Sequence, residues 1–171
     1  MKLFQRAAIA CAFACLSAAP ALAEGVPATG ESQASFASLA DAVAAQDAAV
    51  DDEHLRCLAS AVYFESRGEP LAGQLAVAQV ILNRAKSGRY PAGACGVITQ
   101  RGQFGFVRGG VIPAIDASRS TFRTAVAIAK VAISRAWVTQ QAASAMFFNG
   151  IRAARVGSVR IATIGNHAFY R

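Results

Sequence analysis

The chain after residue 53 offers three carboxylates for acid–base chemistry, and they are Glu65, Glu69 and Asp116. Glu65 is predicted to lie at the end of an apolar helix, with aromatic residues beside it. Desolvation and the negative potential of a helix C-terminus both raise the pKa of a carboxyl group there. Such a group stays protonated near neutral pH and can act as a general acid. A solvated glutamate paired with Arg67 is the alternative, but the scarcity of acids favours the functional interpretation.

The other two carboxylates have simpler explanations. Glu69 lies four residues after Glu65 and would share its face in a continuous helix. Gly68 and Pro70 break that continuity, and a residue before proline favours extended backbone. Glu69 is therefore predicted to support the next helix or to form hydrogen bonds behind the site. Asp116 precedes a predicted helix, so capping is its expected role.

The charge of the chain is unevenly divided. Its 171 residues carry 17 Lys and Arg against 10 Asp and Glu, a formal charge of +7. Seven of the acids lie between Glu24 and Glu53, whereas residues 54–171 carry 15 basic and three acidic residues, or +12. A basic domain favours an anionic polymer as its partner. A site of four or five carboxylates is excluded, and the 54% apolar content excludes a wholly disordered chain.

Residues 1–23 have the pattern of a secretory signal peptide. Basic residues precede an apolar run that ends at Ala21-Leu22-Ala23, a small-x-small cleavage signature. The run is short of the roughly 20 residues that a membrane-spanning helix needs. A lipid-modified N-terminus at Cys11 or Cys15 is a third interpretation. The mature chain is expected to begin near Glu24 and to be periplasmic or secreted, with no stable membrane span.

Export determines how the cysteines are interpreted. Removal of the signal leaves Cys57 and Cys95, and two cysteines in an oxidising compartment are expected to form a disulfide. A thiol nucleophile is disfavoured because Cys57 lies within an apolar helical pattern. Two Cys and two His could bind zinc, but their spacings match no compact ligand pattern. No metal or other cofactor is therefore expected.

The rest of the chain divides into a tether and one domain. Residues 24–50 are rich in Ala, Ser, Gly and acids, which predicts an acidic tether that is flexible or weakly helical. Asp51-Asp52 are good capping residues for a first helix that opens a domain over residues 51–171. Periodicity predicts a second helix from Leu71 to about Ser87 and a third over about Ser118 to Trp137.

The third helix is predicted to bury Phe122, Val126, Ala129 and Ile133. Short β-like segments are predicted at Val97–Thr99 and Gln103–Val107, and further apolar pieces follow in the C-terminal tail. The fold class that these elements indicate is α+β, with helices dominating a small β element.

Several segments together resemble one protein family, the SleB-like cell-wall hydrolases, which are the spore cortex-lytic enzymes and their relatives. The resemblance runs in the family's order from about Leu55 to the C-terminus. The matching segments are Tyr63–Pro70, Gly73–Val80, Leu82–Arg84, Cys95–Ile98, Gln103–Phe106 and Ile164–Tyr170.

This resemblance implies a lysozyme-like α+β catalytic domain that cleaves peptidoglycan glycan strands, with Glu65 as the catalytic glutamate. Some members are lytic transglycosylases, which cut after N-acetylmuramic acid and leave a 1,6-anhydro end with one principal carboxyl group. Ordinary glycosidases need a second carboxylate, about 5–5.5 Å away for retention or about 6.5–9.5 Å for inversion. The acid count favours the transglycosylase, and a hydrolytic muramidase is the alternative.

Further candidates for support or substrate binding come from the matching segments. Gln103 and Phe104 lie on a Gly-rich loop, where they could hold a sugar or form a turn with a buried ring. Asn149, before Gly150, is interpreted as a turn residue, with glycan hydrogen bonding as the alternative. His167 is either a site residue or a structural histidine. Tyr170 is expected to pack with its hydroxyl at the cleft edge.

The chain also departs from the family pattern. Many relatives carry cysteines on both sides of a Gln-Phe-Ser-Phe segment, whereas this chain has Gly102 and Arg108 there, and Gly105 in place of the serine. The loss of both partners fits the loss of one local disulfide. The stretch between Phe148 and Ile164 lacks the Pro and Trp often found there, so substrate contacts are not carried over to it.

Two other functions compete with a glycan-cleaving enzyme. A non-catalytic envelope protein could use its basic surface to bind anionic peptidoglycan. Nucleic-acid binding is also suggested by charge, but the export signal and the lack of a recognition motif argue against it. Protein partners are not predicted.

Overall fold

The computed structural model describes residues 35–153 and 158–171, so the predicted signal peptide and residues 24–34 of the predicted tether lie outside the described residues. The helices are α1 (Leu39–Ala44), α2 (Glu53–Ser66), α3 (Leu71–Lys86), α4 (Gly93–Thr99) and α5 (Ser120–Ser134). A 3₁₀ turn spans Gln140–Ala142, and the strands are β1 (Phe147–Gly150), β2 (Arg160–Ile164) and β3 (His167–Tyr170). Helices dominate a small sheet, as the sequence predicts.

Helix α2 begins where its capping residue predicts. Asp52 has extended backbone, and its carboxylate accepts a 2.8 Å hydrogen bond from the backbone N–H of Leu55. This bond satisfies one of the free donors at the helix start. The helix is buried along most of its length against α3, α4 and α5. It ends at Ser66, so Glu65 lies in its last turn.

Helix α3 lies at the centre of the helical body. It follows Pro70, whose extended backbone starts the helix, and most of its residues are buried against α2, α4 and α5. It ends at Lys86, and Gly88 then takes a left-handed φ of 69° that favours glycine. The predicted second helix is confirmed, including its central position.

Helix α4 corrects the prediction of β structure at Val97–Thr99. The β-branched side chains of Val97 and Ile98 are fully buried on a helix that packs against α2 and α3. Tertiary burial here outweighs the weak preference of such residues for strands. Residues 103–107 form turns, so the second predicted β segment is also wrong. The predicted disulfide is present and joins Cys57 of α2 to Cys95 of α4.

Helix α5 is shorter than the sequence predicts. It ends at Ser134, and Arg135 adopts a left-handed conformation with φ 58°. Phe122, Val126 and Ala129 are buried as predicted, but Ile133 is 49% exposed. Ile133 lies on the predicted face, but in the last turn of the helix, where neighbouring elements no longer cover that face.

The described part of the predicted tether is packed on the domain. Ser38 caps α1, and Ala42 of this helix is fully buried. After the helix, the carboxylate of Asp47 lies 2.6 Å from the Lys130 ammonium on α5. The short helix agrees with the weakly helical alternative, whereas the flexible alternative is wrong for residues 35–50, because a short apolar face and an ion pair hold this segment.

The three strands form one antiparallel sheet in the order β1-β3-β2. Phe147 pairs with Tyr170 and Gly150 with His167, which brings the end of β1 beside the start of β3. A two-residue turn of Gly165 and Asn166 joins β2 to β3. No helix within residues 35–153 and 158–171 is long and apolar enough to cross a membrane.

Loss of the disulfide is expected to lower stability without changing the fold. The bridge links residues separated by 38 positions, and a bridge over such a loop typically contributes about 2–4 kcal/mol to the free energy of unfolding. Chemical denaturation of the chain from Glu24 onward, with and without reductant, measures this loss. The double variant Cys57→Ala/Cys95→Ala is the control and should not respond to reductant. Equal midpoints for the oxidised and reduced wild type would contradict the prediction.

Candidate active site

A polar cleft lies where the end of α2, helix α3, the loop after α4 and the sheet meet. Its volume is about 260 Å³. Glu65 comes from α2, Arg84 from α3, and the remaining lining from the loop and from β1 and β3. The lining residues are Glu65, Arg84, Gln103, Phe104, Gly105, Phe148, Asn149, Gly150 and His167.

Glu65 supplies the one carboxyl group among these lining residues. Its side chain is half-buried, and it has no hydrogen-bond or ion-pair partner within the described part of the chain. Burial raises the pKa of the Glu65 carboxyl group, because the charged form loses hydration. The group therefore tends to hold its proton at a pH where an exposed glutamate is ionised, as a general acid requires.

Aromatic packing holds the last turn of α2 against the loop after α4. The rings of Phe64 and Phe106 are stacked with centroids 4.7 Å apart. The ring of Phe106 also contacts Phe104, whose centroid is 5.7 Å away and whose side chain is buried beneath the cleft. Of the two interpretations of this loop, Phe104 therefore takes the second, a turn with a buried ring. Gln103, the preceding residue, is exposed and lines the cleft.

Arg84 is the charged cleft residue that the sequence analysis did not single out. It is only 6% exposed, and its Nε donates a 2.7 Å hydrogen bond to the carbonyl of Met146. Its Nη1 donates to Oε1 of Gln103 at 3.4 Å. Its guanidinium carbon lies 5.3 Å from the ring centre of Tyr90 and 5.9 Å from that of Phe104. A lone arginine within an apolar helix was the available signal, since a buried charge needs partners.

Asn83, next to Arg84, completes the attachment of α3 to the sheet. Its Nδ2 donates hydrogen bonds of 2.9 Å to the carbonyls of both Ala143 and Ala145. Together with the bond from Arg84 to Met146, these contacts fix the chain that enters β1. Two consecutive side chains of the central helix therefore set the position of the sheet wall.

The sheet wall carries Asn149 and His167. Asn149 pairs with Ala168 inside β1, so its interpretation as a turn residue is wrong, and its strand position places it in the cleft. The ring of His167 meets that of Phe148 edge-on, with centroids 5.4 Å apart. Nδ1 of His167 is buried and has no hydrogen-bond partner among the described residues.

Burial lowers the pKa of His167, and the negative charge of Glu69 opposes this shift. The net direction is downward, so the imidazole is neutral near neutral pH. A neutral ring can donate from one nitrogen and accept at the other, which suits binding to the hydroxyl and amide groups of an uncharged sugar.

The other carboxylates of the domain lie outside the cleft lining. Glu69 accepts two hydrogen bonds from Asn166, from its backbone N–H at 2.8 Å and from its Nδ2 at 3.1 Å. Asp116 accepts from the backbone N–H and hydroxyl of Ser118 at 2.9 and 2.7 Å. It forms a turn before α5, whose N-cap is Arg119, so its predicted role as the cap is wrong.

Tyr170 does not line the cleft. Its side chain is buried, and its hydroxyl accepts a 3.3 Å hydrogen bond from Nη2 of Arg160. The pairing of Tyr170 with Phe147 and Arg160 places it at the end of β3 opposite to His167. The expectation of a hydroxyl at the cleft edge is therefore wrong. No cluster of three or more side chains suited to a metal ion occurs in the described segments.

The family of the chain follows from its sequence. The profile of the family described as Cell Wall Hydrolase matches residues 68–170, more than half of the chain. The chain belongs to the cell wall hydrolase family. The matched range begins three residues after Glu65, so the assignment of this glutamate depends on the cleft and on the motif around it.

Individual relatives agree with the cell wall hydrolase family. The chain is 47% identical over 73 residues to the spore cortex-lytic enzyme of Bacillus subtilis (strain 168), which is 42% of this chain and 24% of that protein. It is 46% identical over 65 residues to the same-named protein of Halalkalibacterium halodurans, with 38% and 20% covered. The matches thus span about a quarter of these curated relatives or less.

Solved structures extend the match to the fold of a cell wall hydrolase. The catalytic domain of the germination-specific lytic transglycosylase SleB from Bacillus anthracis aligns with a TM-score of 0.58 at 32% identity, covering 71% of this chain and 97% of that one. The Bacillus cereus SleB catalytic domain gives 0.55 at 31%, covering 74% and 98%. The predicted lysozyme-like, helix-dominated α+β fold is confirmed.

Replacement of Glu65 by Gln is expected to stabilise the fold at neutral and alkaline pH. The pKa of Glu65 is raised in the folded state, so its contribution to stability is lost as the pH rises through that pKa. The melting temperature of Glu65→Gln should therefore exceed that of the wild type more at pH 8 than at pH 4.

Glu53→Gln is the matched control for this measurement. Glu53 is exposed in the first turn of α2, where a negative charge is favourable, so its loss should give no such gain. A difference in melting temperature between Glu65→Gln and the wild type that does not grow with pH would contradict the prediction.

Proposed function

We propose that the chain is an exported peptidoglycan-degrading enzyme that cleaves the glycan strand between N-acetylmuramic acid and N-acetylglucosamine. In this proposal it is a lytic transglycosylase, and Glu65 is its catalytic acid and base. The observation that carries the proposal is a half-buried carboxyl group with a raised pKa and no partner among the described residues, in a cleft lined by polar groups. Membership of the cell wall hydrolase family supports the substrate class.

The reaction needs one carboxyl group that acts twice. The protonated Glu65 donates its proton to the glycosidic oxygen while the bond from that oxygen to C1 of the muramic acid breaks. The resulting carboxylate then removes the proton from the 6-hydroxyl of the same sugar, and O6 bonds to C1. The product carries a 1,6-anhydro ring, Glu65 is protonated again, and no water is consumed.

The surroundings of the other acids support the one-carboxyl mechanism. A hydrolase of the usual kind needs a second carboxylate at a set separation from the first. Glu69 is engaged by Asn166, and Asp116 by Ser118, and neither lines the cleft that holds Glu65. A hydrolytic muramidase would require one of these groups to leave its partners. The B. anthracis relative, described as a lytic transglycosylase, supports the same choice.

The remaining polar groups of the cleft suit the binding of a sugar. Arg84 and Gln103 are hydrogen-bonded to each other, so the Gln103 amide is held at the cleft with its Nε2 donor available for substrate. Asn149 and His167 provide amide and imidazole groups on the opposing sheet wall. We assign these residues to substrate binding, in which hydrogen bonds fix the ring that is cleaved.

The charge around the cleft supports an anionic polymer as substrate. Arg101 and Arg108 flank the cleft-lining loop residues, and Arg152 follows Gly150 by two positions. All three are exposed, and none has a carboxylate within ion-pair distance among the described residues. Peptidoglycan carries carboxylates on its muramic acids and peptides, so these arginines increase its local concentration at the cleft.

Replacement of Glu65 by Gln is expected to abolish the release of soluble fragments from purified sacculi. The amide cannot donate the proton, and general acid catalysis alone contributes typically 10²–10⁴-fold. Mass spectrometry of the wild-type products should show 1,6-anhydro ends. Asp116→Asn, which removes a carboxylate outside the cleft, is the control and should retain activity.

The other outcomes would reject the acid or identify a different function. Undiminished release by Glu65→Gln would reject the assignment of the acid. Reducing ends in place of anhydro ends would identify a hydrolytic muramidase. Binding to sacculi with no release by the wild type would identify a non-catalytic peptidoglycan-binding protein, for which the basic surface is the favouring observation.

The arginines near the cleft are expected to act through charge. The triple variant Arg101→Gln/Arg108→Gln/Arg152→Gln should bind sacculi about tenfold more weakly at low salt, since exposed pairs contribute about 0.2–1 kcal/mol each. The difference should vanish at high ionic strength because exposed charges are screened. The control is Arg123→Gln/Arg135→Gln/Arg171→Gln, which removes equal charge from positions that flank neither the cleft-lining loop nor the end of β1. An equal loss in both triple variants would contradict a local role.

A further inference from the structure

The turn that joins β2 to β3 is packed directly on the carboxylate of Glu69. Oε2 of Glu69 accepts the backbone N–H of Asn166 at 2.8 Å, and Oε1 accepts its Nδ2 at 3.1 Å. The preceding Gly165 has a φ of 57°, and a Cβ at this position would clash with Oε2 of Glu69. A side chain here would force the Glu69 carboxylate to move, and the positive φ also favours glycine.

Asn166 also ties the turn to the end of β1. Its carbonyl accepts a 2.9 Å hydrogen bond from the backbone N–H of Ile151. His167, the next residue, starts β3 and pairs with Gly150 and Ile164. The backbone that carries the His167 ring is therefore set by contacts made one residue earlier.

Glu69 is itself fixed on the helical side of the cleft. It lies in the turn between α2 and α3, where its backbone N–H donates to the carbonyl of Ser66 at 2.8 Å. Its own carbonyl accepts a 2.9 Å hydrogen bond from Nε2 of Gln74, a buried residue of α3. Glu65 precedes it by four residues at the end of α2. One carboxylate thus bridges the turn that follows Glu65 and the turn that precedes His167.

We propose that Glu69 is a positioning residue, which clamps the Gly165–Asn166 turn to the end of α2 and so holds His167 in the cleft with Glu65. The proposal rests on the proposed function, because it assigns His167 to substrate binding. Glu69 makes no contact with substrate in this role. Misplacement of a binding group by about 1 Å can cost about 100-fold in rate, which sets the scale of the expected effect.

A pair of substitutions at Glu69 separates geometry from charge. Glu69→Ala removes both hydrogen bonds to Asn166 and should lower kcat/KM by about 10- to 100-fold. Glu69→Gln removes only the charge, because the glutamine can accept from the backbone N–H and donate to a rotated Asn166 amide. This conservative variant should stay within about twofold of the wild type. An equal loss in both variants would overturn the proposal in favour of a charge effect.

A double-mutant cycle tests whether Glu69 acts through His167. If it does, Glu69→Ala/His167→Ala should be no less active than His167→Ala alone, since the positioned group is already absent. An undiminished effect of Glu69→Ala in the His167→Ala background would overturn the proposal.

Exchange of the carboxylate and the amide between positions 69 and 166 tests the clamp even if Glu69→Ala does not fold. Asn166→Asp places two carboxylates together and should lower activity. Glu69→Gln/Asn166→Asp keeps the bond from the backbone N–H of residue 166, rebuilds the side-chain bond with its direction reversed, and should restore activity. No recovery in the swapped variant would overturn the clamp.

NMR signals from the rings of the two histidines distinguish a failure of the clamp from a failure of the proposed function. In ¹H–¹⁵N spectra, at a pH where the rings are neutral, the His167 signals should hold their positions in Glu69→Gln and shift or broaden in Glu69→Ala. His54, exposed at the start of α2, is the internal reference. Unchanged His167 signals in Glu69→Ala would overturn the clamp, whereas a wild type that cleaves no sacculi would reject the function alone.

Discussion

The cleft depends on the attachment of a small sheet to a helical body through hydrogen bonds to backbone carbonyls and N–H groups. Asn83 and Arg84 hold the chain that enters β1 through hydrogen bonds of 2.7–2.9 Å to the carbonyls of residues 143, 145 and 146. Glu69 holds the turn before β3. Such bonds to buried or half-buried backbone groups are directional, so they fix position where apolar contacts alone would allow sliding. These two attachments anchor the strands that carry Asn149 and His167.

Of the three carboxyl side chains in residues 54–171, all of which the structure describes, Glu65 is the one without a partner and the one with proposed chemistry. Burial of an unpaired ionisable group costs stability, and most polar groups of this domain avoid that cost through partners. Glu69 has Asn166, Asp116 has Ser118, and Lys130 has Asp47. Glu65 instead has a raised pKa, which is the property that a general acid needs. Arg84, by contrast, is a buried charged group that has partners, and its hydrogen bonds hold the Met146 carbonyl and the Gln103 side chain.

Several features were predictable because local chemistry determines them. The start of α2 follows from the Asp52 cap, its end from Gly68 and Pro70, and the disulfide from two cysteines in a chain that is predicted to be exported. The position of Glu65 in the last turn of α2, beside aromatic residues, was also predictable. The segment at Val97–Thr99 was not, since its β-branched residues are buried on a helix. The packing of residues 35–50 also depends on a partner, Lys130, that lies 83 residues from Asp47.

The sequence by itself determined the fold class, the main helices, the scarcity of acids and the helix-end position of Glu65, because helix periodicity, capping and charge composition act over short range. The tertiary structure decided which distant residues share the cleft. Arg84 and Asn149 line the cleft together with Glu65. Tyr170 lies outside the cleft lining and bonds to Arg160, and Glu69 bonds to Asn166, which lies 97 residues further along the chain. Those placements follow from strand register and from side-chain bonds between distant segments, and neither can be read from local patterns.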